Sequence, residues 1–78
     1  MSSAYEEPVP GDSVVLTEIP LGLLDGLPED DQQAIVEAAD HPMLLCEYSD
    51  GETAELRFAD ARGYIHFIYV HRKHIRPA

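Results

Sequence analysis

Between Thr53 and Phe58 the chain alternates without a fault: Ala54, Leu56 and Phe58 fall on one side of an extended backbone, Thr53, Glu55 and Arg57 on the other. A period of two is the mark of a strand with one buried face. Before it, Met43-Leu44-Leu45-Cys46-Glu47-Tyr48 reads as a mostly apolar strand, and Ser49-Asp50-Gly51-Glu52 supplies the positive φ that a tight connection needs. After it, Asp60-Ala61-Arg62-Gly63 makes a second hairpin turn. The segment Tyr64-Ile65-His66-Phe67-Ile68-Tyr69-Val70 then returns as the strongest β signal in the chain. Arg72-Lys73-His74 fits a single 3₁₀ turn, and Ile75-Arg76 a short closing strand.

Upstream, Ser13-Val14-Val15-Leu16-Thr17-Glu18-Ile19 is rich in β-branched residues and bounded by Asp12 and Pro20, so the first strand is predicted there. Residues 20–28 follow with two glycines, two prolines and four leucines, a loop that cannot be regular yet must pack down. From Pro28 to about Ala39 a helix is predicted. Its first turn carries Glu29, Asp30 and Asp31, where the positive end of the helix dipole favours acids. Ile35, Ala38 and Ala39 share one face, and Pro42 forbids continuation. Residues 1–12, with Pro8, Pro10 and Gly11 among acids and small residues, are expected to be a flexible tail.

A chain of 78 residues supports one core, so residues 13–78 are expected to form a single domain. Five short strands and a terminal one-turn helix suffice to close a small barrel and remove its exposed edges. The fold class is therefore mainly β: a five-stranded barrel with one short α-helix inserted in the long loop after the first strand. On Gly11-Asp12-Ser13-Val14-Val15-Leu16-Thr17-Glu18, the Asp50-Gly51 turn and the closing Val70–Ile75 segment, the chain resembles small bacterial SH3-like barrel domains of unknown function. It departs from the signalling SH3 domains that hold proline-rich peptides in an aromatic groove, having no Trp and no Ala-Leu-Tyr-Asp-Tyr segment.

Charge sharpens the picture because it is polarised. Residues 1–56 hold fourteen acids and no Lys or Arg; residues 57–78 hold all five basic residues and the single acid Asp60. With a net charge of −10, the field repels nucleic acid and anionic membrane, both of which depend on Lys and Arg for affinity. Such acidity serves solubility or a salt-rich setting; the sharper reading is a basic protein partner. One cysteine cannot staple a small secreted domain, and the N-terminus carries neither a basic start nor an apolar run, so a cytoplasmic setting is expected.

The side chains that could carry chemistry each have a plainer reading. His71 and His74 have a metal-ligand spacing, but Arg72 and Lys73 lie between them and no second cysteine joins Cys46, so no metal or other cofactor is expected. His66 sits inside a strand without an assignable acid/base partner, and Cys46 reads as a buried, inert thiol. The acidic runs lack the Asp-x-Asp-x-Asp-Gly spacing of a calcium loop. Among Tyr5, Tyr48, Tyr64 and Tyr69, one or two are expected to pack in the core and at least one to be exposed. The function expected is a non-enzymatic protein-interaction module, monomeric or weakly oligomeric. Its contact surface would be the acidic loop–helix region: Asp25, Glu29, Asp30, Asp31, Glu37 and Asp40. The alternatives are an acidic nucleic-acid mimic of the inhibitor or immunity type, which needs its carboxylates on one continuous face, and a small accessory subunit of a larger enzyme.

Overall fold

The alternating segment becomes a central strand, because both of its neighbours in sequence fold back onto it as hairpins. The computed structural model describes residues 7–20 and 22–78. In chain order the elements are β1 (Ser13–Leu16), α1 (Glu29–Ala38), β2 (Met43–Ser49), β3 (Thr53–Ala59), β4 (Ile65–His71), a 3₁₀ turn (Arg72–His74) and β5 (Ile75–Pro77). The strands form one sheet in the order β4-β3-β2-β1-β5, antiparallel throughout. β4 and β5 are its two outer strands and do not pair with each other, so hydrogen bonding leaves the sheet open where barrel closure was expected.

One face of the sheet carries the core. Val14 and Leu16, Met43 and Leu45, Ala54, Leu56 and Phe58, Ile68 and Val70, and Ile75 all point inward, and α1 covers them through Ile35. Leu23, Leu24 and Leu27 of the loop pack against the same cluster, as leucines in a glycine- and proline-broken segment demand, and Leu21 lies outside the described residues. Three successive short turns, each closed by an i to i+3 backbone bond, shape that loop. Gly22 at φ 88° and Gly26 at φ 78° take left-handed conformations within it.

Three local departures from the sequence reading have physical causes. β1 stops at Leu16 instead of running to Ile19 because its partner runs out: Leu16 pairs with Ile75, and the residues before Ile75 are wound into the 3₁₀ turn. In β2 a bulge falls at Cys46, since Leu45 pairs with Leu56 while Glu47 pairs with Glu55. A regular strand would turn Glu47 to the same side as Leu45, into the core; the extra residue flips the register so that Glu47 is exposed and Tyr48 faces inward. Cys46 is consequently half-buried at the bulge, not fully enclosed. Third, residues 7–12, expected as tail, are tied to β2. The Gly11 N–H donates to the Leu45 carbonyl (2.8 Å), the Leu45 N–H to the Asp12 carbonyl (3.0 Å), and the Tyr48 hydroxyl to the Pro8 carbonyl (2.7 Å). Residues 1–6 lie outside the described residues.

Candidate functional site

The two outer strands are finished differently. β5 is three residues long and contains Arg76 and Pro77, both of which discourage another strand from adding to it. β4 is seven residues long, and between Ile65 and His71 it holds no Lys, Arg, Asp, Glu or Pro. Three of its four outward side chains are large and apolar, Ile65 at 55% exposed, Phe67 at 51% and Tyr69 at 55%, beside Tyr64 at 62%; the fourth is His71. Side chains of this size are ordinarily covered, and a contiguous exposed row of them marks an interaction surface.

Beneath this edge, between β4 and the loop–helix segment, runs a groove of about 260 Å³. Leu23, Leu27 and Ile35 form its apolar side, residues 66–69 its strand side, and Asp31 the one carboxylate on its lining. A second, more polar cleft of about 250 Å³ lies between Asp30, Gln33 and Glu37 of α1 and the β3–β4 turn, where the Arg62 guanidinium lies over the Tyr64 ring, 5.1 Å from its centroid.

The Asp60–His66 pair stands between groove and cleft, Asp60 lining the cleft and His66 the groove. His66 Nε2 bonds Asp60 Oδ2 at 2.8 Å, and its ring stacks on Phe58 with centroids 5.1 Å apart and planes 14° from parallel. The other carboxylate oxygen, Oδ1, accepts the Arg62 and Tyr64 N–H groups at 2.8 and 3.0 Å. Asp60 is thus the partner that sequence alone could not assign to His66, and its geometry serves to fix the turn. The His66 hydrogen bond, first, and the Tyr64 and Arg62 amides hold the Asp60 carboxyl below its ordinary value, while partial burial works in the opposite direction. A depressed carboxylate stabilises the fold above its unfolded value, and that contribution is lost as pH falls through the folded one. Asp60→Asn keeps an oxygen for the two amides and removes the charge. Its urea midpoint should therefore lie below wild type at neutral pH, with the gap closing as pH drops below about 4. A gap that stayed constant down to pH 2 would refute the linkage.

The residues expected to form the contact surface separate. Asp31 is half-buried and lines the apolar groove, while Asp30 and Glu37 line the polar cleft. Asp25, Glu29 and Asp40 are exposed but line neither. Glu47 and Glu55 oppose each other across β2 and β3 on the sheet face away from α1, so the carboxylates do not make one continuous face. His71 caps the 3₁₀ turn, its Nδ1 accepting the Lys73 N–H at 3.1 Å, and its ring lies 6.4 Å from that of His74, edge to face. Tyr48 is half-buried against the core, Tyr64 and Tyr69 are exposed, and Tyr5 lies outside the described residues.

The row Ile65, Phe67 and Tyr69 was missed as a site, although a signal was present. Tyr64–Val70 is apolar at both phases of the strand period, which implies cover on both faces, and one short helix can cover only one. No family model matches the chain, and neither a curated protein nor a solved structure matches it. Among the described residues no helix is long and apolar enough to cross a membrane.

Proposed function

We propose that the chain is a non-enzymatic protein-interaction module that holds a basic protein partner against its acidic loop–helix surface. One observation carries this reading: the segment from Gly22 to Asp40 bears six carboxylates and no Lys or Arg, and it borders an apolar groove. Charge of one sign beside apolar area gives a partner both steering and a place to bury side chains. The SH3-like reading belongs to the same proposal. It is supported by a sheet in which the last strand lies beside the first and β2, β3 and β4 follow as consecutive hairpins. The nucleic-acid-mimic alternative is not proposed, because Glu47 and Glu55 sit on the opposite side of the sheet from the helix acids.

Fluorescence anisotropy with short labelled peptides of lysine-rich, neutral and glutamate-rich composition tests the proposal. The lysine-rich peptides alone should bind, more weakly as salt screens the attraction, and Asp30→Lys, Asp31→Lys and Glu37→Lys should each lower the affinity. Equal binding of all compositions, or none at low salt, would exclude a basic partner.

A further inference from the structure

The direction of the backbone groups along β4 adds a binding mode to this surface. At one end of the β3–β4 ladder the Asp60 N–H donates to the Tyr64 carbonyl (2.9 Å), and at the other the Arg72 N–H donates to the Glu52 carbonyl (2.8 Å). In an antiparallel ladder hydrogen-bonded and non-bonded pairs alternate. With those two ends fixed, His66, Ile68 and Val70 are the β4 residues bonded to β3. The N–H and C=O groups of Ile65, Phe67 and Tyr69 therefore point away from the sheet, and among the described residues no turn or loop bonds to them. An open row of such groups along a sheet edge is a template for another strand.

We propose that β4 receives an extended segment of a basic partner as a sixth strand, a proposal that rests on the interaction-module reading above. The groove fixes the chemistry of the occupant. Side chains of an added strand alternate between the two faces. Those on the outer face come beside Ile65, Phe67 and Tyr69, which favours β-branched or aromatic residues. Those on the inner face enter the groove, where the aliphatic stem of Lys or Arg lies along Leu23, Leu27 and Ile35 and its charge reaches Asp31. The occupant is thus a strand in which basic residues alternate with apolar ones. A second copy fits less well: pairing β4 with its own twin brings the acidic loop–helix segments of both chains to one junction, where like charges repel.

The probe is a short capped peptide alternating lysine with valine, and the readout is amide hydrogen exchange of the full chain by NMR. With free peptide at about ten times Kd, exchange of the Ile65, Phe67 and Tyr69 amides, fast in the free fold, should slow about tenfold, whereas His66 and Ile68, already bonded to β3, are protected before peptide is added and follow only the change in global stability. Phe67→Pro removes one outward donor at an edge position that tolerates proline, and Phe67→Ala removes the ring but keeps the donor. The proline variant should bind about tenfold more weakly than the alanine variant, the value of roughly one hydrogen bond. Equal affinity of the two variants, each shown folded by its spectrum, would overturn strand addition. Salt-dependent binding without protection of these amides would also overturn it, while leaving the acidic contact surface standing; no binding at any salt would remove both. Protection of the same amides in the free chain that grows with its concentration would assign the edge to a second copy and overturn the basic partner.

Discussion

Leu56→Ala is expected to lower the free energy of unfolding by about 2–5 kcal/mol. A chain of this length has about 4–12 kcal/mol in total, so the loss takes a large share of it. Leu56 is fully buried on an interior strand, paired with Leu45 of β2 on one side and Ile68 of β4 on the other. The cavity left by truncation is therefore walled by two strands whose ladders hold them at fixed spacing, and it cannot collapse. Urea denaturation followed by circular dichroism should show the shift, with Tm falling by roughly 10–30 °C. Leu56→Met, which conserves volume, should cost less than about 1.5 kcal/mol, and Tyr64→Ala on the exposed surface should stay within about 0.5 kcal/mol. A Leu56→Ala loss no larger than that of Tyr64→Ala would mean that the core does not lie where the sheet register places it.

The legible parts of this fold are those fixed by neighbouring residues. Ala54, Leu56 and Phe58 announce a half-buried strand because strand period and sequence period coincide, and the structure places all three in the core. The helix is read to within a residue because Pro28 and Pro42 bracket it and its acids mark its start. Asp50-Gly51 forms the expected turn, with φ of 49° and 82°. What escaped reading depends on partners far along the chain. The end of β1 is set by the 3₁₀ turn some sixty residues later in sequence, a distance that local pattern does not encode. The bulge at Cys46 likewise answers a conflict between the apolar run and Glu47 that only pairing with β3 makes visible. The candidate site belongs to this second class. Its acids were evident as a run, whereas the outward amides and the Asp60–His66 pair exist only after β4 folds back onto β3, and the groove only after the loop and helix dock beside β4.

The helix's part in that docking rests mainly on one side chain, and Ile35→Ala is the variant that tests it. Ile35 is the only helix residue that is fully enclosed; Ala34 and Ala38 add small, partly buried contacts. α1 spans ten residues, too few for a helix to hold in water without packing. Its N-cap, Pro28, offers no side-chain hydrogen bond, and its last turn has no basic residue, so local interactions supply little beyond the three acids of the first turn. Removal of the Ile35 side chain should therefore cost about 2–5 kcal/mol. The loss should be felt unevenly: amides of α1 should exchange much faster, while those of β3 report only the drop in global stability. Ile35→Val, which keeps most of the contact, should cost about 0.5–1.5 kcal/mol and leave the helix amides protected. Because Ile35 also lines the groove under β4, helix release removes one wall of the proposed binding surface together with the acids mounted on it. The alanine variant should thus lose affinity for lysine-rich peptides at temperatures where its sheet is still intact. Retained affinity with an unprotected helix would place the contact on β4 alone and strip the acidic segment of its part in recognition.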